Sequence, residues 1–201
     1  EICACLVGSE MCIRDSINSY TNKSYTSVNI YKTLKEKRIH THLAKNNDEI
    51  YKEPNLTLKT FKADMKEDNE NSIITLLQYY DFETLFMGDA GIDAFNAVKK
   101  NVPHNVEVWK VGHHGARGVV DNNMIKHLNP KVSLISTGLN TFGHPNKGTL
   151  DILRATLIYR TDKNNSIKIT TDGSIYKILT FNGLKHKYET NNTIQVQAEQ
   201  P

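Results

Sequence analysis

Apolar and polar positions alternate along this chain with two periods, and the switches between them mark its elements. Around residues 49–51 and 56–61 short pieces alternate residue by residue, the period of a half-buried strand, and predict a hairpin. Residues 72–80 (SIITLLQYY) and 84–87 (TLFM) are near-continuous apolar runs about a short Asp81-Phe82 turn, as expected of strands covered on both faces. Over 91–100 the period lengthens: Ile92, Phe95 and Val98 share a helical stripe, lysines fill the last turn, and Pro103 follows. Residues 106–111 read as a strand carrying the only tryptophan, Trp109. Residues 121–128 read as a helix with Asp121 at its N-cap, and 132–136 as another buried strand. A loop over 139–147, a helix over 149–157 and an extended piece over 159–161 follow. The segments 166–171 and 174–180 form a hairpin that turns at Asp172-Gly173.

Nearer the start, Val28, Tyr31, Leu34 and Ile39 give a helical stripe over the second half of 17–37. Residues 62–71 read as a charged connection, and beyond His186 the chain is polar and expected to fray. Strands alternating with helices, closed by a hairpin, predict an α/β architecture: a layered, mixed sheet with helices outside. In such folds ligands gather at the ends of strands.

Composition narrows this picture only a little. The 201 residues, 38% hydrophobic and 23% charged, suit one globular domain of ordinary size. A net charge of +3 is too small to argue by itself for a nucleic-acid binder. No apolar run approaches the roughly 20 residues that span a bilayer. The cysteines Cys3, Cys5 and Cys12 suggest a thiol or zinc motif, but residues 6–16, LVGSEMCIRDS, read as the translation of a transposase adapter. Such a scar is excluded from fold reasoning. The expected organisation is therefore an artefact over 1–16, a partial domain over 17–186 and a polar tail over 187–201, with a natural N-terminal portion missing.

Candidate chemistry sits where apolar runs stop abruptly. Asp89 follows Gly88 at the end of one strand, and His113-His114 precede Gly115 at the end of another. A rigid strand fixes the root of a ligand, and glycine lets backbone or ligand come close, so these ends predict a metal site. Carboxylate and imidazole together can hold two zinc-like ions, with Asp89 suited to bridge them. Of His113 and His114, one can ligate while its neighbour contacts substrate. His144, between Gly143 and Pro145, can donate a proton or hydrogen bond to a phosphate or leaving group. The competing structural readings are an N-cap role for Asp89, loop histidines at 113–114, and a surface strand for His40-Thr41-His42. His104 and His127 read as plain surface residues.

Met87-Gly88-Asp89, Lys110-Val111-Gly112-His113-His114-Gly115 and Phe142-Gly143-His144-Pro145, in that order, resemble successive motifs of the metallo-β-lactamase superfamily. The branch they resemble is that of the ComEC-type competence proteins. Asn69-Glu70-Asn71-Ser72 and Tyr159-Arg160-Thr161-Asp162 extend the resemblance to about residues 66–178. It implies an αββα sandwich, truncated here at its N-terminus, with two divalent metal ions, zinc or alternatively manganese. It also implies hydrolysis of a phosphoester, with DNA as the suspected substrate in the competence branch. Asp89 then matches the bridging carboxylate, His113 and His114 hold the next ligand, and His144 is the substrate-side histidine. The favoured assignment has His114 on the metal and His113 on the phosphate, with Asn69, Ser72 and Lys110 toward substrate. Lys110 alternatively snorkels to water. A tether to membrane-spanning segments outside this chain, and a place beyond the cytoplasmic membrane, also follow from the resemblance; free-standing relatives are cytoplasmic. Two departures stand out. The hallmark H-x-[HD]-x-D-H is absent, and Ala116 replaces the usual Ser. The fragment itself is thus expected to be inactive, and a catalytically inactive binding module is the alternative.

Overall fold

Seven strands follow one another in sequence order across the main sheet, and their connections explain their directions. The computed structural model describes residues 15–18, 25–65 and 69–196. The chain divides into two units, Glu1–Lys45 and Asn46–Pro201. In the first, α1 (Tyr25–Glu36) lies between β1 (Asp15–Asn18) and β2 (His40–Leu43), which pair in parallel with Asp15 opposite His40. The expected helix is there, and His40-Thr41-His42 lies on a strand. Residues 1–14, most of the expected artefact, lie outside the described residues.

In the second unit the sheet runs β3 (Asp48–Glu53), β4 (Leu56–Phe61), β5 (Ile74–Tyr79), β6 (Phe82–Phe86), β7 (Val108–Lys110), β8 (Val132–Ile135) and β9 (Leu157–Arg160). The first four are antiparallel, joined by turns or a short connection. From β6 to β9 the pairing is parallel, which requires crossovers. The helices α2 (Ile92–Val98), α3 (Asn122–Leu128) and α4 (Lys147–Leu153) lie within those crossovers.

Register sorts the side chains between two cores. Leu85, Trp109, Ser133 and Ile158 stand side by side across the four parallel strands. On that face they pack with Met87, Phe95, Val98, Met124, Leu128 and Leu153 from the strand ends and helices. On the opposite face Phe82, Val108, Val132 and Tyr159 meet Tyr176, Ile178 and Val196 of a second, three-stranded sheet. That sheet comprises β10 (Ile167–Thr171), β11 (Ile175–Asn182) and β12 (Lys187–Gln195). The result is a mixed α/β body layered helix on sheet on sheet.

Three sequence expectations need correcting here. The polar stretch beyond His186 does not fray: β12 pairs with β11 from Lys187 opposite Asn182 to Gln195 opposite Ile175. Its polar residues occupy a solvated sheet face, while Ile194 and Val196 reach the core. The helix expected over 149–157 is shifted. Asn146 starts it at Lys147 by accepting from the Gly148 N–H at 2.9 Å. Thr156 closes it, its N–H and hydroxyl both bonding the Leu153 carbonyl, so Leu157 is already strand. Finally, His127 is not a surface residue: it is buried, with its ring tilted against His104 and edge-on to Phe95.

Candidate functional site

Parallel order sets the C-terminal ends of β6, β7 and β8 next to one another, and the glycine-flanked motifs leave the sheet there. The His113 N–H donates to the Gly88 carbonyl at 3.1 Å, tying the exits of β6 and β7 together. Lys110 Nζ donates to the same carbonyl at 3.3 Å. Gly112 is needed for this approach: a Cβ there would stand 2.0 Å from the Ala90 carbonyl oxygen. The chain then turns through three successive left-handed residues, His113 (φ 44°), His114 (φ 53°) and Gly115 (φ 74°). Two adjacent non-glycine residues in that region cost about 1–2 kcal/mol each, and strain of this kind gathers at functional sites.

The loop between β8 and α4 holds this turn from the other side. Gly115 faces Pro145, whose Cβ would lie 2.9 Å from a Cβ at Gly115, and the Asn146 N–H donates to the Gly115 carbonyl at 2.8 Å. Ala116, where the resemblance leads one to expect Ser, is buried, and its carbonyl accepts from the Thr149 hydroxyl at 2.7 Å. The His144–Pro145 peptide is cis. The His144 ring centroid lies 5.7 Å from that of His113 and stacks on Phe142 at 5.9 Å. His144 Nδ1 is buried without a hydrogen-bond partner among the described residues.

His114 is exposed, and its Nδ1 lies 2.7 Å from the Ser136 carbonyl. A carbonyl can only accept, so Nδ1 carries the proton and Nε2 keeps its lone pair available. Asp89 is half-buried, and its carboxylate makes no hydrogen bond among the described residues. It does not cap α2. That role falls to Glu70, whose Oε2 accepts from the Gly91 N–H at 3.2 Å and the Ala94 N–H at 2.7 Å. Ser72 Oγ accepts from the Asp89 N–H at 3.2 Å and so fixes the carboxylate's root. Asn69 is exposed, and its carbonyl accepts from the Ser72 N–H. Lys110 is half-buried, and burial pushes its ammonium below the ordinary value against the opposing pull of Asp89.

The site residues expected from sequence thus fall into one neighbourhood by backbone, except that Asn69 reaches it only through Ser72. Three supporting residues escaped the sequence reading. Glu70 caps a helix 21 residues away, outside any local capping rule. Asn140 organises the His144 loop. Thr161 pins its base, accepting from the Thr137 N–H at 2.7 Å and donating to the Thr137 carbonyl at 2.5 Å. Beside it Arg160 binds Asp162 with two hydrogen bonds and holds that carboxyl below its ordinary range.

As a metal shell the arrangement is partial. An imidazole held by a carbonyl and an uncommitted carboxylate are suitable donor types. Yet among the described residues no three His, Cys, Asp or Glu side chains come together closely enough to hold an ion. Asp89, His113 and His114 therefore do not fit a complete metal centre by themselves. Among the described residues no helix is long and apolar enough to cross a membrane.

No protein-family model matches the chain, and no solved structure matches it. Over 109 residues, 52% of its length, it is 29% identical to ComE operon protein 3 of Bacillus subtilis (strain 168), and it spans 14% of that protein.

Proposed function

We propose that this chain carries the C-terminal part of a metal-dependent phosphodiesterase or nuclease domain of the metallo-β-lactamase type, acting in competence on a phosphoester such as DNA. The carrying observation is the left-handed His113-His114-Gly115 turn, locked between Gly88 and Pro145, with Nε2 of His114 left available by the Ser136 carbonyl. Two adjacent histidines held in the left-handed region point to a functional constraint. The order of motifs and the likeness to a ComE operon protein support the competence setting.

In this reading His114 and Asp89 supply part of the shell for two divalent ions, zinc or alternatively manganese, and the remaining donors come from outside the described residues. His113 and Lys110 meet the phosphate, and Ser72 holds Asp89 in place. His144 donates to the phosphate or leaving oxygen. The product of the intact gene should take up zinc or manganese and hydrolyse an activated phosphodiester, and Asp89→Ala should lose both. Full metal retention by Asp89→Ala sinks the proposal. The absence of a three-donor cluster among the described residues favours a second reading, an inactive module. Under that reading the intact product neither takes up metal nor hydrolyses the diester.

A further inference from the structure

The loop over residues 137–146 exposes two large apolar side chains while its backbone is tightly tied. Leu139 is 107% exposed and Phe142 80%. Single exposed apolar residues need no explanation, but two on one ordered loop beside a candidate site do. The order comes from Asn140. Its Nδ2 donates to the carbonyls of Gly138 at 2.8 Å and His144 at 2.7 Å, and its Oδ1 accepts from the N–H groups of Phe142 at 3.1 Å and His144 at 3.0 Å. The backbone that carries Phe142 is therefore fixed, with little further backbone entropy to lose when something packs on the ring.

One neighbour of that ring is already set. Phe142 lies nearly parallel to His144, with an interplanar angle of 20°, and His144 is the ring neighbour of His113. The three rings form a short series from the exposed loop tip to the strained histidine turn. Cationic side chains belong to the same segments. Lys110 precedes the turn, exposed Arg117 follows it, and exposed Lys147 follows the loop. An aromatic platform with cations on the adjoining segments is the chemistry of single-stranded nucleic acid: a base stacks while its backbone meets the charges. A duplex hides its base faces and cannot use such a platform.

We propose that Phe142 is a stacking residue that receives a nucleobase of a single-stranded nucleic acid, with Leu139 on the same loop and the adjoining phosphate directed toward His144 and His113. This deepens the phosphodiesterase reading and rests on it for the direction of the backbone, but the stacking itself needs neither metal nor turnover. The test is fluorescence anisotropy with the 201-residue chain and three labelled probes at low salt: a short oligothymidylate, an abasic strand of the same length, and a duplex. Phe142→Ala should weaken oligothymidylate binding about tenfold or more, leave abasic binding unchanged, and be rescued by Phe142→Trp. Circular dichroism should show both variants folded, since the ring is mostly solvated. Wild-type affinity in Phe142→Ala, equal losses for oligothymidylate and abasic strands, or equal binding of all three probes by the parent chain would each overturn the proposal. Loss of the Phe142 effect with metal uptake intact in the full gene product would remove the platform alone. The reverse pattern would remove the hydrolase and leave the platform.

Discussion

Individual residues here act mostly through what they fix at a distance. Asp89 follows a glycine just ahead of a helix, where local rules offer it as an N-cap, and sequence cannot choose between cap and ligand. The structure chooses, because Glu70 arrives from the preceding connection and occupies the α2 N-terminus with one carboxylate oxygen. A carboxylate there satisfies otherwise orphaned N–H groups and complements the positive end of the helix. Removing it should cost about 1–2 kcal/mol. Glu70→Ala should lower the urea midpoint by that free energy divided by the denaturant slope, with the slope unchanged, while Glu70→Gln, which keeps an acceptor, should lose less. No loss in Glu70→Ala would mean that water caps α2 as well as the side chain does. His114 gives the opposite lesson. Its place at a strand end was legible, but the Ser136 carbonyl that sets its tautomer was not, because that partner comes from the next strand.

Among elements, the apolar runs of β6 and β8 were plain in the sequence because burial on both faces removes the need for polar alternation. Strand β5 carries the same kind of run, yet only its Ile74 and Leu76 face is buried and the other is half-buried. Strand β12 was missed for the converse reason. One of its faces is solvated and rich in Asn and Thr, so it resembles a tail until its partner is known. The close contact between the exits of β6 and β7 was half legible. Close approach was expected at Gly88 and Gly115, but Gly112, which makes this contact, was not singled out, nor was what it meets. The answer is the Ala90 carbonyl, 2.0 Å from where a Cβ would sit. Gly112→Ala must push the two strand ends apart and stretch the bond from the His113 N–H to the Gly88 carbonyl. It should destabilise by about 1–3 kcal/mol or more, as overpacking against an unyielding neighbour does. Gly138→Ala, where a Cβ meets nothing within 4 Å, should stay within about 0.5 kcal/mol of the parent. Thermal melts of the pair read the difference directly, and equal Tm values would show that Ala90 can retreat.

For the molecule as a whole, the two ends of the parallel sheet are specialised differently. One carries the strained histidines. The other is closed by His127, whose burial against Phe95 and His104 joins α3 to the connection that follows α2. Since the Val102 carbonyl 3.0 Å from Nε2 can only accept, that nitrogen carries the proton of the neutral ring. Burial is the largest influence on this imidazole and holds its pKa below the ordinary 6.5. The Val102 hydrogen bond opposes the shift, and the charges of His104 and Lys99 add to it. The unfolded chain, with the ordinary value, therefore binds the proton first as pH falls, so stability from the neutral ring is complete above about pH 6.5 and declines below it. Carboxylates held low, such as Asp162, begin to lose their contribution only in more acidic solution. A Tm profile should thus show a step beginning near about pH 6.5, well before the carboxylate limb. His127→Gln keeps a donor for Val102 and removes the titration, so its profile should be flatter through that window even if its absolute Tm is lower. A step of undiminished size in the variant would assign it to another histidine, and the closed end of the sheet would then be insensitive to His127 protonation.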